Sequence, residues 1–178
     1  TYNISNNLSI SLDISKEKKK SDYRGTFNTD TDYDYLQANT NIDYVSEKLA
    51  IKIGLDGFYA DVDYAYNSVN LAMEKNNQAG IIASEFYLDK LSIKAGYRYE
   101  QMKFNESDGS SEKENLHGIE LGVNYLLNQN SSFFIDYSHG YQSSSLDRMF
   151  DYFSGGYTGY VKPSKSDSYT VGYANITD

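Results

Sequence analysis

Apolar and polar residues alternate along most of the chain with a period of two. Residues 7–15 read NLSISLDIS, so the even positions are apolar and the odd positions are polar. Successive side chains of a β-strand point to opposite faces, so this pattern predicts a strand with one apolar face. The same alternation recurs in six further segments: Tyr33–Val45, Leu49–Tyr66, Leu91–Lys103, Leu116–Leu127, Ser132–Gln142 and Ser168–Ile176.

One further segment, Gln78–Leu88, alternates less regularly. Ile81 and Ile82 are adjacent and Glu85 adds a charge to one face. An extra residue inserted into a strand produces this kind of phase change, so the pattern allows a β-bulge there. The chain is therefore predicted to be all-β, with about eight antiparallel strands.

The two predicted faces differ in charge. Where apolar residues alternate in the seven regular strands, before the segment ends that hold Asp34, Asp61, Asp63 and Lys103, the apolar face carries no charged residue, whereas the opposite face carries nine and is otherwise rich in small residues. A polar face of small and charged side chains is typical of the lumen of a transmembrane β-barrel. The nine are Asp13, Asp43, Lys52, Asp56, Lys94, Arg98, Glu100, Glu120 and Asp136.

The predicted connections alternate between long and short. The long ones are residues 16–32, 67–77, 105–115 and 143–167, and the short ones are 46–47, 89–90 and 128–131. Bacterial outer-membrane barrels have tight periplasmic turns and long outside loops. The alternation predicts an antiparallel transmembrane β-barrel wall whose first strand starts at the periplasmic side.

Composition supports a membrane interface. The chain has 19 Tyr and 8 Phe but no Trp, and its mean hydropathy is −0.64. Low hydropathy is compatible with membrane strands, because only every second residue meets lipid. Tyrosines favour the interface, where the ring contacts lipid and the hydroxyl contacts headgroups. Those near predicted strand ends are Tyr44, Tyr59, Tyr87, Tyr97, Tyr99, Tyr125, Tyr141 and Tyr169.

Several chemistries are disfavoured by the residues present. A formal net charge of −9 argues against a nucleic-acid partner, and the absence of Cys excludes thiolate catalysis and disulfides. The acidic segment 105–115 lacks the ligand spacing of an EF-hand, so a solvated loop is favoured over a calcium site. No metal site or cofactor is predicted. A soluble sandwich or solenoid remains an alternative to the membrane barrel.

Two stretches resemble TonB-dependent outer-membrane receptors. Gly80–Glu100 is similar to their aromatic strand, tight turn and "GxRYE" strand. The run from Gly122 to Tyr173 resembles a later part of the barrel through YSHGY, SLDRMF and VKPSKSDSYTVGY. Ser144, Ser164 and Thr170 depart from the family pattern, which has Pro, Glu and Glu there.

The resemblance implies a fragment of a 22-stranded barrel, comprising residues 1–178 as a single barrel segment without the family's N-terminal plug domain. Both ends of the chain are expected to be cut. It further implies a location in the Gram-negative outer membrane, contact with outer-membrane lipid, and energised uptake of a ferric siderophore, haem or cobalamin. The TonB complex of the inner membrane would act through the absent plug.

Candidate ligand contacts lie in the last long loop and on the lumen face. Aromatic and cationic side chains stack on flat ligands and pair with their charge. The loop supplies Tyr141, Arg148, Phe150, Tyr152, Phe153, Tyr157 and Tyr160, and the lumen face supplies Arg98 and Glu100. Two alternatives are loop packing for the aromatic residues and a hydrated hydrogen-bonded network for the charges.

Two other functions fit the same pattern. One is a complete eight-stranded barrel with a structural or adhesive role. The other is an outer-membrane enzyme using His117 or His139, although no nucleophile, base and orienting group can be located by spacing.

Overall fold

The computed structural model describes residues 1–24, 28–66, 69–107, 109–143, 149 and 158–175. Within these ranges, nine strands form one sheet in which each strand pairs antiparallel with the next along the chain. The strands are β1 Tyr2–Asn3, β2 Leu8–Tyr23, β3 Thr29–Val45, β4 Leu49–Tyr66, β5 Val69–Leu88, β6 Leu91–Glu106, β7 Ser111–Asn128, β8 Ser131–Gln142 and β9 Ser164–Asn175. This arrangement confirms the predicted antiparallel meander.

The sheet is open. In the described part of the chain, β1 pairs only with β2 and β9 pairs only with β8. A closed eight-stranded barrel would pair its first and last strands, so the structure does not fit that alternative. No helix among the described residues is long and apolar enough to cross a membrane.

The strand register places the alternating residues on two distinct faces. Directly opposed residues lie on the same side of a sheet, and one such row contains Ile10, Ile42, Ile53, Ile82, Tyr97 and Ile119. We call the side of this row the apolar face and the other the polar face. Leu12 and Val171 on the apolar face are 64% and 65% exposed.

The strands extend well past the apolar alternation, so the predicted bounds of three long loops were wrong. Much of 16–32, 67–77 and 105–115 is strand: β2 and β3 pair as far as Tyr23 and Thr29, β5 begins at Val69, and β6 and β7 pair as far as Asn105 and Ser111. A hydrocarbon core needs only about 9–11 tilted residues per strand. Backbone pairing continues beyond it without an apolar face, so the alternation underestimates strand length. Most of 143–167 lies outside the described residues.

The bulge allowed in Gln78–Leu88 is absent. β5 keeps a continuous register with both neighbours, and a register shift occurs instead in β7, between Leu126 and Asn128. Glu85 lies opposite Lys94 on the polar face. Ile81 also lies on that face, opposite Gly54 on one side and Arg98 on the other. The adjacent residues Ile81 and Ile82 therefore lie on opposite faces of a regular strand, and no bulge is needed to accommodate them.

The buried residues lie mainly on the polar face, in the half of the strands beyond the apolar alternation. Val62, Met73, Phe104 and Met149 form a core that is at most 3% exposed. Tyr33, Tyr64, Leu71 and Tyr160 pack around it. Met149 and Tyr160, which follow β8 in the sequence, therefore pack over the polar face at this end.

Candidate functional site

A charged network occupies the polar face at the centre of β6. Arg98 and Glu100 are two residues apart, so the alternation of β6 places both on the same face. In β7 the residue opposite Arg98 is Gly118, and an added Cβ there would lie 3.5 Å from the Arg98 Cβ. The small neighbour leaves room for the guanidinium to lie along the sheet.

Arg98 is held by three oxygen groups. Its Nη1 donates to Asp56 in β4, its Nη2 donates to Glu100 Oε2 at 2.8 Å, and its Nε donates to the Tyr141 hydroxyl at 3.0 Å. Such charge-assisted hydrogen bonds are about twice as strong as neutral ones. The network ties β4, β6 and β8 together across the polar face.

Glu100 is the most buried charge of this network. The residue is 6% exposed, and its carboxylate accepts hydrogen bonds from Asn77 Nδ2 at 2.7 Å and from the Tyr141 hydroxyl at 2.8 Å, besides Arg98. A buried carboxylate is tolerated when it is paired and hydrogen-bonded. Asn77 Oδ1, by contrast, is buried without a hydrogen-bond partner.

Tyr141 reaches this network because β8 leaves β7 near its end. The β7–β8 pairing stops at Ile119 and His139. Strict alternation would place Tyr141 on the apolar face with Tyr137 and His139, yet its hydroxyl bonds Arg98 and Glu100 on the polar face. Tyr141 therefore does not belong to the predicted interfacial tyrosines.

A second group of charges lies nearer the short turns. Lys94 in β6 is 2.8 Å from both Glu120 in β7 and Asp136 in β8. Gly122 opposes Lys94 in the β6–β7 register, and a Cβ at Gly122 would overlap the lysine side chain. The sequence predicts Lys94, Glu120 and Asp136 on one polar face, and the structure pairs them on that face.

The described residues that follow β8, among them Met149 and Tyr160, cover part of the polar face. The Tyr160 ring centroid lies 5.6 Å from that of Phe104, and both the amide and the hydroxyl of Thr158 donate to the Met149 carbonyl, at 2.8 and 2.9 Å. Lys75 Nζ donates to Ser143 Oγ at 2.6 Å. Burial raises the pKa of Tyr160 to about 12, and its hydroxyl has no hydrogen-bond partner.

The predicted site residues therefore fall into three groups. Arg98, Glu100 and Tyr141 lie together in the charged network. Tyr160 packs separately against Phe104. Arg148, Phe150, Tyr152, Phe153 and Tyr157 lie outside the described residues.

Val62, Met73 and Phe104 were missed as a core by the sequence reading. The sequence does contain a signal for this core, because these are large apolar side chains at positions whose parity matches the polar face.

Neither histidine lies in the charged network. His117 and His139 have the parity of the apolar face, where His117 Nδ1 is 2.7 Å from the Tyr97 hydroxyl and His139 Nδ1 is 2.9 Å from Asp167 Oδ1. Across the described ranges, no group of three or more His, Asp or Glu side chains is placed to hold a metal ion.

Comparison with known proteins identifies the same architecture. The family model for the TonB dependent receptor-like β-barrel matches residues 1–177. No curated protein matches the chain.

Three solved structures illustrate the same fold. The alcaligin receptor FauA of Bordetella pertussis has 18% identity and a TM-score of 0.69, over 93% of this chain and 30% of its own. The copper transporter OprC has 10% identity and a TM-score of 0.74, over 99% and 34%. The ferric citrate transporter FecA has 12% identity and a TM-score of 0.63, over 97% and 30%. The chain thus spans about a third of the length of these structures.

Proposed function

The chain belongs to the β-barrel family of TonB-dependent receptors, and from this premise we propose that it forms part of the wall of an outer-membrane transporter in a Gram-negative bacterium. The whole protein takes up a scarce nutrient such as a ferric siderophore, haem or cobalamin. An N-terminal plug domain, pulled by the TonB complex of the inner membrane, opens the path through the barrel.

One observation carries this proposal: the apolar face of the sheet is exposed. Leu12 is 64% exposed and Leu121 is 48% exposed. An exposed apolar surface of this extent marks a contact with another protein or with a membrane. In a closed transmembrane barrel, the outward-facing side of the strands contacts lipid. The opposite face carries the hydrogen-bonded charges, as a wet lumen requires.

We place ligand capture at the polar face and its covering segment. The Arg98 side chain keeps 33% of its surface exposed despite its three partners, so part of the guanidinium faces the lumen. Glu100 and Tyr141 hold it there. Tyr160 adds an aromatic ring next to this face, and Arg148, Phe150 and Tyr157, which lie outside the described residues, are proposed as further aromatic and cationic contacts.

The chain contributes no catalytic group under this proposal. The hydroxyl in the charged network is that of Tyr141, which is bonded to the Arg98–Glu100 ion pair, and both histidines belong to the apolar face. Replacing His117 and His139 with alanine should leave nutrient uptake intact. Loss of a lipase or protease activity in this double variant would instead favour an outer-membrane enzyme.

Uptake by cells producing the full-length receptor tests the proposal. Cells are supplied with a panel of labelled iron chelates, haem and cobalamin, with and without a working TonB complex. We expect accumulation of at least one of them, dependent on the TonB complex. Accumulation of none, by a receptor shown to be in the outer membrane, would contradict the uptake function.

A variant pair then tests the ligand contacts. Arg98→Gln should weaken ligand binding, followed as quenching of tyrosine fluorescence in the purified receptor. Lys94→Gln removes a similarly paired charge farther along β6 and should leave binding unchanged. Equal binding by both variants and the parent would remove Arg98 from the site without affecting the uptake proposal.

A further inference from the structure

One edge of β7 lacks a strand partner beyond the apolar part of the wall. From Gly118 to Ser111 the strand still pairs with β6, whereas its pairing with β8 stops at Ile119 among the described residues. The Leu126 amide donates to the Lys90 carbonyl, so alternation directs the backbone groups of the odd-numbered residues of β7 toward the β8 side. An edge of this kind pairs readily with another strand.

The end of β8 lies over the polar face instead of along this edge. We call residues 140–143 the β8 tail. The Tyr141 hydroxyl bonds Arg98 and Glu100, and Ser143 Oγ accepts a hydrogen bond from Lys75 Nζ in β5 at 2.6 Å. The tail therefore crosses the polar face from β8 toward β5. It carries β9 with it, since Gln142 still pairs with Ser164.

The two strands part at a pair of glycines. Ile119 opposes His139, so the next pair in the same register would be Gly118 and Gly140. An added Cβ at Gly140 would meet no atom within 4 Å, and one at Gly118 would lie 3.9 Å from Tyr141 Cε1. Glycine changes the direction of a chain at little steric cost. Gly140 is therefore placed to act as a hinge for the tail.

The β8 tail also matches the free edge of β7 in register. Continuing the β7–β8 ladder places Tyr141 opposite His117 and Ser143 opposite Asn115. Tyr141 would then lie on the apolar face, beside the His117 ring, whose centroid is 5.3 Å from that of Tyr99. The alternation of β8 predicts this position for Tyr141, whereas the structure shows the inward one.

The two positions offer hydrogen bonds of similar number. Inward, the tail has the two bonds of the Tyr141 hydroxyl and the bond between Ser143 and Lys75. Along β7, the backbone groups of His117 and Asn115 would gain partners in the tail. Each hydrogen bond contributes only a small net free energy. Two packings of one segment can then both be populated.

We propose that the β8 tail alternates between these two positions, inward over the polar face and paired with the free edge of β7. The second position completes the wall and removes the Tyr141 hydroxyl from Arg98. It thereby uncovers the guanidinium to which the proposed function assigns ligand capture. The two positions follow from strand geometry, and only their effect on capture rests on the proposed function.

Disulfide trapping tests the second position directly. Leu116→Cys/Gln142→Cys is introduced into a full-length receptor free of other cysteines, in lipid vesicles under mild oxidation. In the continued register these positions form a non-hydrogen-bonded pair with Cα atoms about 4.5 Å apart, which suits a disulfide. We expect the disulfide to form, and Tyr141→Phe to accelerate it about fivefold because it removes the inward hydrogen bonds.

Two controls separate a defined register from a loose tail. Glu114→Cys/Gln142→Cys places the first cysteine two residues farther along the same face of β7 and should react much more slowly. Tyr137→Phe removes a hydroxyl that donates to Asp167 elsewhere on β8 and should leave the rate unchanged. No disulfide at 116 and 142, equal rates for the two cysteine pairs, or no acceleration by Tyr141→Phe would overturn the proposal.

Hydrogen exchange gives a second readout that leaves Leu116 in place. Tyr141→Phe/Ser143→Ala removes the inward contacts of the tail, so the amides of His117 and Asn115 should exchange more slowly than in the parent. Loss of side-chain hydrogen bonds from a tail with a single position would leave these amides unchanged or make them exchange faster. Either of those results would contradict the alternation.

Arginine labelling tests the effect on Arg98. The 116–142 disulfide variant is treated with phenylglyoxal in its oxidised and reduced forms, and mass spectrometry measures the rate at each arginine. Oxidation should accelerate labelling of Arg98 about fivefold, because the Tyr141 hydroxyl has left it. Arg24, which is exposed in β-hairpin 2–3 far from the tail, should not change. Equal rates at Arg98 would refute the uncovering. None of these measurements uses the transported ligand, so their failure would leave the uptake proposal standing.

Discussion

Arg98 and Glu100 stabilise one another in the middle of the polar face. Glu100 is 6% exposed and satisfies donors from β5, β6 and β8 through Asn77, Arg98 and Tyr141. Removing one member of a buried pair leaves the other charge without compensation, which costs more than the pair itself contributes. The network therefore supports the wall as well as the proposed ligand contact.

Glu100→Ala should accordingly destabilise the barrel. We expect a loss of about 3 kcal/mol in the free energy of unfolding, because Arg98, Asn77 and Tyr141 all lose an acceptor. Denaturant unfolding of the full-length receptor in lipid vesicles measures it. Glu112→Ala is the matched control, since Glu112 is exposed on the same face in β7 and should change stability by about 0.5 kcal/mol or less. Equal effects of the two variants would contradict a structural role for the network.

Residue positions were predictable from the sequence where the alternation holds. Arg98 and Glu100 were placed on the polar face because they keep the phase of β6. Tyr141 was not, because its inward turn depends on β8 separating from β7 beyond His139. A period-two pattern describes a strand within a sheet and contains no information on where two strands part.

At the scale of the strand, the apolar face is the feature that requires a membrane. The exposed apolar residues run across β2 to β9 and include Leu12, Ile53, Leu121 and Val171. A charge placed on this face would have to enter hydrocarbon, whereas a charge on the opposite face would enter water.

Leu121→Arg should therefore destabilise the barrel by about 2–4 kcal/mol if Leu121 is near the bilayer midplane. Ser138→Arg, on the polar face opposite Glu120 in the β7–β8 register, should be close to neutral. Denaturant unfolding in vesicles compares the two variants. A smaller effect for Leu121→Arg than for Ser138→Arg would mean that the assignment of the faces is reversed.

The covering segment is the second feature at this scale. Met149 is 3% exposed and lies in the core cluster with Phe104. Met149→Ala removes this anchor, so the Thr158 amide, which donates to the Met149 carbonyl, should exchange its hydrogen faster. A large-to-small change in a core costs about 2–5 kcal/mol when the site cannot collapse. Hydrogen exchange measures the local opening.

Val161→Ala provides the comparison for that measurement, because Val161 is more than a third exposed. It should leave exchange at Thr158 unchanged. Unchanged exchange in Met149→Ala would show that Met149 does not hold the segment against the polar face.

Strand identity and order followed from the sequence, but strand length did not. Alternation of apolar residues ends where the hydrocarbon ends. From Lys16 to Tyr23, however, the backbone of β2 continues to pair with β3 although the apolar alternation has stopped. The buried core was even less predictable from the sequence, because Val62 and Phe104 are apolar residues on a face classified as polar. Their burial depends on the segment after β8, which is distant in sequence.

For the whole molecule, the open nine-stranded sheet and the family agree with a wall that belongs to a larger barrel. The solved structures with this fold are about three times longer than the part that this chain spans. The polar face would then line the lumen, and the cover formed by Met149 and Tyr160 would lie at its outer mouth. The orientation of the two faces is the claim on which the transport proposal depends.

Spin labels along β6 test that orientation most directly. The chain contains no Cys, so single cysteines at positions 92 to 99 of a full-length receptor free of other cysteines give unique sites. Collision with oxygen, which concentrates in lipid, and with a water-soluble nickel chelate is measured at each position in vesicles. We predict opposite two-residue oscillations, with positions 93, 95, 97 and 99 accessible to oxygen and positions 92, 94, 96 and 98 accessible to the chelate. Uniform access to the chelate at all eight positions would contradict the account.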